Sequence, residues 1–152
     1  LWQLRPDARS ALYHLTMDLR NFAFGITPQS KRHMISGLYK RNMAATAAIL
    51  DQARDAGVHV VVYIAPVRSD IEIPYVDDEY ARFKAEAERL AVDSGAVFVN
   101  LEDLVPGSEW GSKDGALGTL EFDFAHFRAP GHTLLANALG DLLENEKLVG
   151  PP

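Results

Sequence analysis

The sequence predicts an α/β protein in which a parallel sheet lies between helices, and three observations carry that reading. Residues 58–64, Val-His-Val-Val-Val-Tyr-Ile, form a β-branched run with almost no polar alternation. A strand buried on both faces has that pattern, which belongs to parallel sheets covered by helices. A second buried run, residues 96–101, follows after one helix length, so strand, helix and strand make a βαβ unit that is right-handed by strong precedent. Elsewhere apolar residues recur at intervals of three and four, the spacing of helices with one buried face.

Taken in order, residues 6–24 are expected to be helical. Leu12, Leu15, Leu19, Phe22 and Ala23 supply the apolar spacing, Pro6 suits a first turn and Gly25 a stop. Residues 26–37 are polar and punctuated, and are expected to form a loop. A second helix is expected over 38–56, with Leu38, Met43, Ala47, Leu50 and Ala53 on its buried side and Gly57 just past its end. Ala65-Pro66 ends the first strand, and residues 67–76 read as a loop. Asp77 is a good N-cap for a third helix over 78–94 that stops at Gly95. After the second strand, residues 102–124 read as a long glycine-rich connection. The last helix is expected over 130–147, with Pro130 in its first turn and Leu134, Leu135, Ala138, Leu142 and Leu143 on its apolar face.

Two strands are too few to bury four helices. Doubly wound flavodoxin-like sheets have about five strands in the order 2-1-3-4-5, and the two seen here suit the last two. The chain also begins at Leu1 rather than Met. The expectation is therefore a sheet that is incomplete at its N-terminal side, completed by a preceding segment or by another chain.

The composition, 47% hydrophobic and 24% charged, suits a folded domain with a core, and the length of 152 residues suits one domain. A formal net charge of −6 argues against a general nucleic-acid binder, which needs clustered Lys and Arg. The basic knots Lys31-Arg32-His33 and Lys40-Arg41 are short and read as solvated helix starts. With no cysteine, disulfides, thiol catalysis and zinc–thiolate sites are excluded.

Ligands of open α/β sheets bind outside the carboxyl ends of the strands, and long internal connections are often functional. The connection here ends in Phe122-Asp123-Phe124-Ala125-His126-Phe127. An Asp and a His three apart can fold back within one turn, so that the carboxylate accepts the Nδ1 proton and Nε2 faces outward as a general base. The other reading of the same spacing is a turn capped by Asp123, with His126 a partly buried polar residue.

The stretch from Asp123 through Phe127, Pro130, Gly131 and His132, followed by Leu134-Leu135-Ala136-Asn137-Ala138-Leu139, resembles the last conserved block of the SGNH/GDSL hydrolases. In that family an Asp-x-x-His pair precedes a glycine-containing turn and a terminal Leu/Ala-rich helix. Residues 60–66 resemble its penultimate strand and residues 96–101 the strand before the triad loop. On this resemblance the chain divides into residues 1–37, an N-terminal helix and loop, and residues 38–152, the C-terminal part of a single SGNH-type domain. The family's nucleophile lies in a Gly-Asp-Ser motif, and no such motif occurs here; Gly25-Ile26-Thr27 and Asn42 do not match its oxyanion-hole blocks. Of the seven serines, only Ser69 falls where the end of a strand would bring it near the triad loop, without the strained setting of a nucleophile.

The resemblance implies a serine-dependent esterase or O-acyltransferase, with Asp123 and His126 as the Asp–His part of the triad and the serine outside this chain. Family members act on small esters and on carbohydrate esters, including cell-envelope polysaccharides, and no metal or organic cofactor is implied. The alternative is a non-catalytic α/β binding or scaffold domain. Arg68 is a candidate for an anionic substrate group, against a surface ion pair with Asp70 or Glu72. Tyr75 and Trp110 are candidates for lining an acyl or sugar pocket, against packing in the core or at its rim. His132 lacks partners with metal-ligand spacing and reads as a helix-start residue. A homo-oligomer, or association with a missing N-terminal segment, would complete the sheet.

Overall fold

The computed structural model describes residues 5–27, 29–114 and 120–148. In chain order these form α1 (Arg5–Phe24), α2 (Ser36–Asp55), β1 (Val61–Ile64), α3 (Asp77–Asp93) and β2 (Val97–Asn100). A 3-10 turn (Gly107–Glu109), β3 (Trp110–Asp114), β4 (Leu120–Phe127) and α4 (Ala129–Asn145) follow. No helix among the described residues is long and apolar enough to cross a membrane.

Helices α1, α2 and α3 end where a glycine, Gly25, Gly57 or Gly95, takes the left-handed backbone, and α4 ends at Lys147 with φ +54°. At the end of α2, Gly57 has φ +67°; its N–H donates to Arg54 O, and the N–H of Val58 donates to Ala53 O at 2.8 Å. This is a Schellman closure. Gly95 closes α3 in the same way, with Ala96 donating to Ala91 O. Both strands therefore start later than their apolar runs: Val58 and Ala96 are held by the preceding helix. Asp77 is not an N-cap. It lies inside the first turn of α3, after Val76, and its carboxylate accepts from Lys31 Nζ at 3.1 Å instead.

The protein is mixed α/β, and β1 and β2 pair in parallel with Val61 opposite Val97 and Ile64 opposite Asn100. Among the described residues this sheet has two strands, so a flavodoxin-like sheet is not seen. Helices α2 and α3 cover one face. Met43, Ile64 and Ala87 form the buried centre there, ringed by Tyr39, Phe83, Leu90 and Phe98. The alternate face carries Val61, Tyr63, Val97 and Val99; none of the four is buried, and Tyr63 is 39% exposed. The expected burial on both faces is thus met only in part and on one face, at Ile64, while α4 packs elsewhere.

What α4 covers is a hairpin that replaces the expected irregular connection. β3 and β4 run antiparallel, and α4 lies against β4 and the 3-10 turn. Residues 115–119 of that connection lie outside the described residues. A second small core forms here from Val105, Trp110, Phe127 and Gly131. Trp110 stands edge-on to Phe127, with ring centres 5.3 Å apart, and its Nε1–H donates to Val105 O at 3.1 Å.

The basic knot at Lys31-Arg32-His33 is no solvated helix start. Lys31 Nζ meets Glu72 at 2.9 Å and donates to Tyr75 O at 3.0 Å. Arg32 forms a parallel bridge with Tyr75, and His33 faces Glu79. These contacts fasten the α1–α2 connection to the β1–α3 loop.

Candidate active site

Successive residues of a strand face opposite sides, so positions three apart cannot normally meet. The hairpin overcomes this with a break in register. Trp110 pairs with Phe127 while Ser112 pairs with Phe122, so two steps along β3 correspond to five along β4. The surplus residues of β4 form a large irregular bulge, the kind of irregularity that re-aims a side chain. Asp123 and His126 both lie in this arch. It closes over Gly111: a methyl group placed there would lie 3.7 Å from His126 O and 3.9 Å from Asp123 Cβ.

Asp123 holds His126 with both carboxylate oxygens. Oδ1 accepts the backbone N–H of His126 at 3.1 Å, and Oδ2 lies 2.9 Å from the ring Nδ1. The carboxylate thus caps the turn and orients the imidazole at once, and His126 is exposed rather than the partly buried residue of the second reading. An ionised carboxylate can only accept, so Nδ1 carries the proton and a neutral ring keeps its lone pair on Nε2. The Asp123 side chain is 13% exposed and that of His126 is 82% exposed. Nε2 has no hydrogen-bond partner among the described residues, and the ring is open to a reacting group.

The arch is tied to the tip of the parallel sheet by Arg68, which follows the end of β1. Arg68 is 6% exposed and donates from Nε and Nη2 to the two oxygens of Asp70, at 2.7 and 3.0 Å. From Nη1 it donates to Gly111 O at 2.8 Å, and its guanidinium lies 4.4 Å from the centre of the Phe122 ring. The Asp70 pair is thus the one that forms, buried on the arginine's side, while Glu72 pairs with Lys31. The guanidinium is turned to Asp70, Gly111 and Phe122, contacts that hold the hairpin beside the tip of β1.

Trp110, 3% exposed, belongs to the hairpin core. Tyr75 does line a cleft, beside the carboxyl end of β1 with Tyr63, Tyr80 and Phe83. Its ring stacks on Tyr80 at 5.2 Å, and Tyr80 on Phe83 at 6.2 Å. Burial, with the nearby Glu102 carboxylate, pushes the Tyr80 phenol up to about 12, so Tyr80 offers a neutral ring and hydroxyl. Among the described residues, Ser69 is exposed and makes no side-chain hydrogen bond, and Ser112 stands opposite Phe122 with none to His126. The His132 ring packs 4.5 Å from that of Phe127. Among the described residues no group of three or more His, Asp or Glu side chains is arranged to hold a metal ion.

The sequence reading missed the hairpin, the Gly111 contact and the Arg68 strut. Strict alternation in Leu120-Glu121-Phe122-Asp123-Phe124 was the available signal for a strand. Comparison of the chain with protein-family models, with curated proteins and with solved structures found no match in any of the three.

Proposed function

We propose that this chain supplies the Asp–His half of a catalytic triad for serine-dependent ester hydrolysis or O-acyl transfer, in an SGNH/GDSL-type domain of flavodoxin-like design. The observation that carries the proposal is the contact of 2.9 Å between Asp123 Oδ2 and His126 Nδ1, on a ring that is 82% exposed. A serine from outside the 152 residues attacks the ester carbonyl. His126 Nε2 takes the hydroxyl proton and returns it to the departing alkoxide, while Asp123 fixes the tautomer and offsets the positive charge on the ring. The acyl group then passes from the serine oxygen to water or to a sugar hydroxyl, with His126 deprotonating that acceptor and returning the proton to the serine.

An acyl-ester assay on the protein that carries the upstream serine tests this. His126→Ala is expected to lower kcat by about 10³-fold or more, and Asp123→Asn by about 10²- to 10⁴-fold. Ser69→Ala and Ser112→Ala are expected to leave it unchanged. Activity that survives His126→Ala removes the ring from the mechanism.

The cleft walled by Tyr63, Tyr75, Tyr80 and Phe83 favours a second reading, in which the domain binds a ligand without chemistry. A protein that binds short acyl esters yet never turns them over, with or without the upstream segment, fits that reading.

A further inference from the structure

The cleft beside Tyr75 has a volume of about 520 Å³, within the roughly 300–1,000 Å³ of small-molecule sites. It opens at the carboxyl end of β1, where ligands of parallel sheets gather. Tyr63, Val67, Tyr75, Tyr80 and Phe83 make most of its wall apolar. The cationic side chain of Arg32 completes the lining.

Arg32 and Arg20 both line the groove beside this cleft, and among the described residues neither faces a carboxylate; Arg20 donates to Asn21 Oδ1 instead. Arg54, Arg68 and Arg89 each face a carboxylate. The backbone of Arg32 is fixed by the bridge to Tyr75 and a hydrogen bond of 3.0 Å to Pro74 O. Its guanidinium has no hydrogen-bond or ion-pair partner among the described residues. Arg32 also lines the adjoining groove of about 260 Å³, which Asp123 lines too. Arg32 is thus the cation common to the apolar cleft and to a groove that Arg20, Glu121 and Asp123 also line.

We infer that this cleft is an acyl subsite: it takes a medium-length aliphatic chain, with the carboxylate or ester oxygen at its head directed to Arg32. Charge complementarity selects the head group, since a guanidinium favours a carboxylate over an alcohol. The aromatic wall selects the chain by removing its methylenes from water. The inference deepens the acyl-transfer reading by naming the acyl class, and binding can be measured without catalysis.

The test is an NMR titration of amide shifts with sodium acetate, butyrate, hexanoate, 1-hexanol and glucose. Hexanoate is expected to shift the amides of Tyr63, Val67, Tyr75 and Tyr80, with affinity rising about two- to fourfold per methylene from butyrate. Arg32→Gln is expected to weaken hexanoate by about three- to tenfold and to leave 1-hexanol unchanged. Tyr63→Ser, at a half-exposed position, is expected to weaken both. Equal affinity for acetate and hexanoate overturns the proposal, as does a response to glucose alone. Shifts confined to the exposed side of α1, or no effect of Arg32→Gln, also overturn it. Hexanoate binding that persists in His126→Ala, beside an inactive native protein, sinks the catalytic reading and leaves the cleft intact. Ester turnover without hexanoate binding does the reverse.

Discussion

The Asp70 carboxyl is held below the ordinary carboxylate range because Arg68 donates to both of its oxygens. A carboxylate with a lowered folded-state pKa stabilises the fold above its unfolded value, near 3.8, and loses that contribution as pH falls through the folded value. Acid unfolding is therefore expected to steepen below about pH 3.8, and Asp70→Asn to flatten that limb. At neutral pH the same substitution leaves a buried guanidinium without its counter-charge. The expected loss is about 1–3 kcal/mol by urea denaturation, because Asp70 itself is partly solvated. Asp123 and His126 were legible as a candidate pair from their spacing alone. Arg68 was legible only as a charge beside the site, because its burial depends on Gly111 and Phe122, which lie more than forty positions later.

At the scale of elements, α4 approaches the hairpin closely enough to require a glycine. A methyl group on Gly131 would lie 2.9 Å from Phe127 Cδ2 and 3.0 Å from Val105 Cγ1. Gly131→Ala is expected to destabilise the protein by about 1–3 kcal/mol through overpacking, read as a lower melting temperature with the hairpin amides exchanging faster. In the sequence Gly131 reads as part of a turn, since its neighbour Pro130 suits a helix start and glycine disfavours a helix interior. Contact with Phe127, one turn earlier, and with Val105, distant in the chain, decides otherwise. Helix ends, by contrast, were readable at Gly57 and Gly95, because a positive φ is a local demand. The bulge in β4 was not readable: register is set jointly by two strands, and the sequence of one does not state where the other will skip.

For the whole molecule, the notable property is apolar surface without cover. Leu12, Leu15, Leu19 and Phe22 of α1 are all exposed, as is Tyr63 on the open face of the sheet. Surfaces of this kind mark association sites. Sedimentation velocity is expected to show concentration-dependent self-association of the 152-residue chain, reversed by Leu15→Glu with Leu19→Glu. A concentration-independent monomer would contradict this. The α/β class and the parallel pair were evident from residues 58–64 and 96–101, since a buried strand needs only its own composition to be recognised. How many strands and layers assemble around it is a property of the assembled sheet, and no local pattern encodes it.

The Arg68 strut has a mechanical corollary. The imidazole of His126 rides on an arch held by the hairpin ladder and by Asp123, and one guanidinium joins that hairpin to the tip of β1, so its bearing depends on the sheet as well as on the hairpin. Any neighbour that draws that tip sideways, such as a strand docking along the open margin of β1, would swivel the ring by the same stroke.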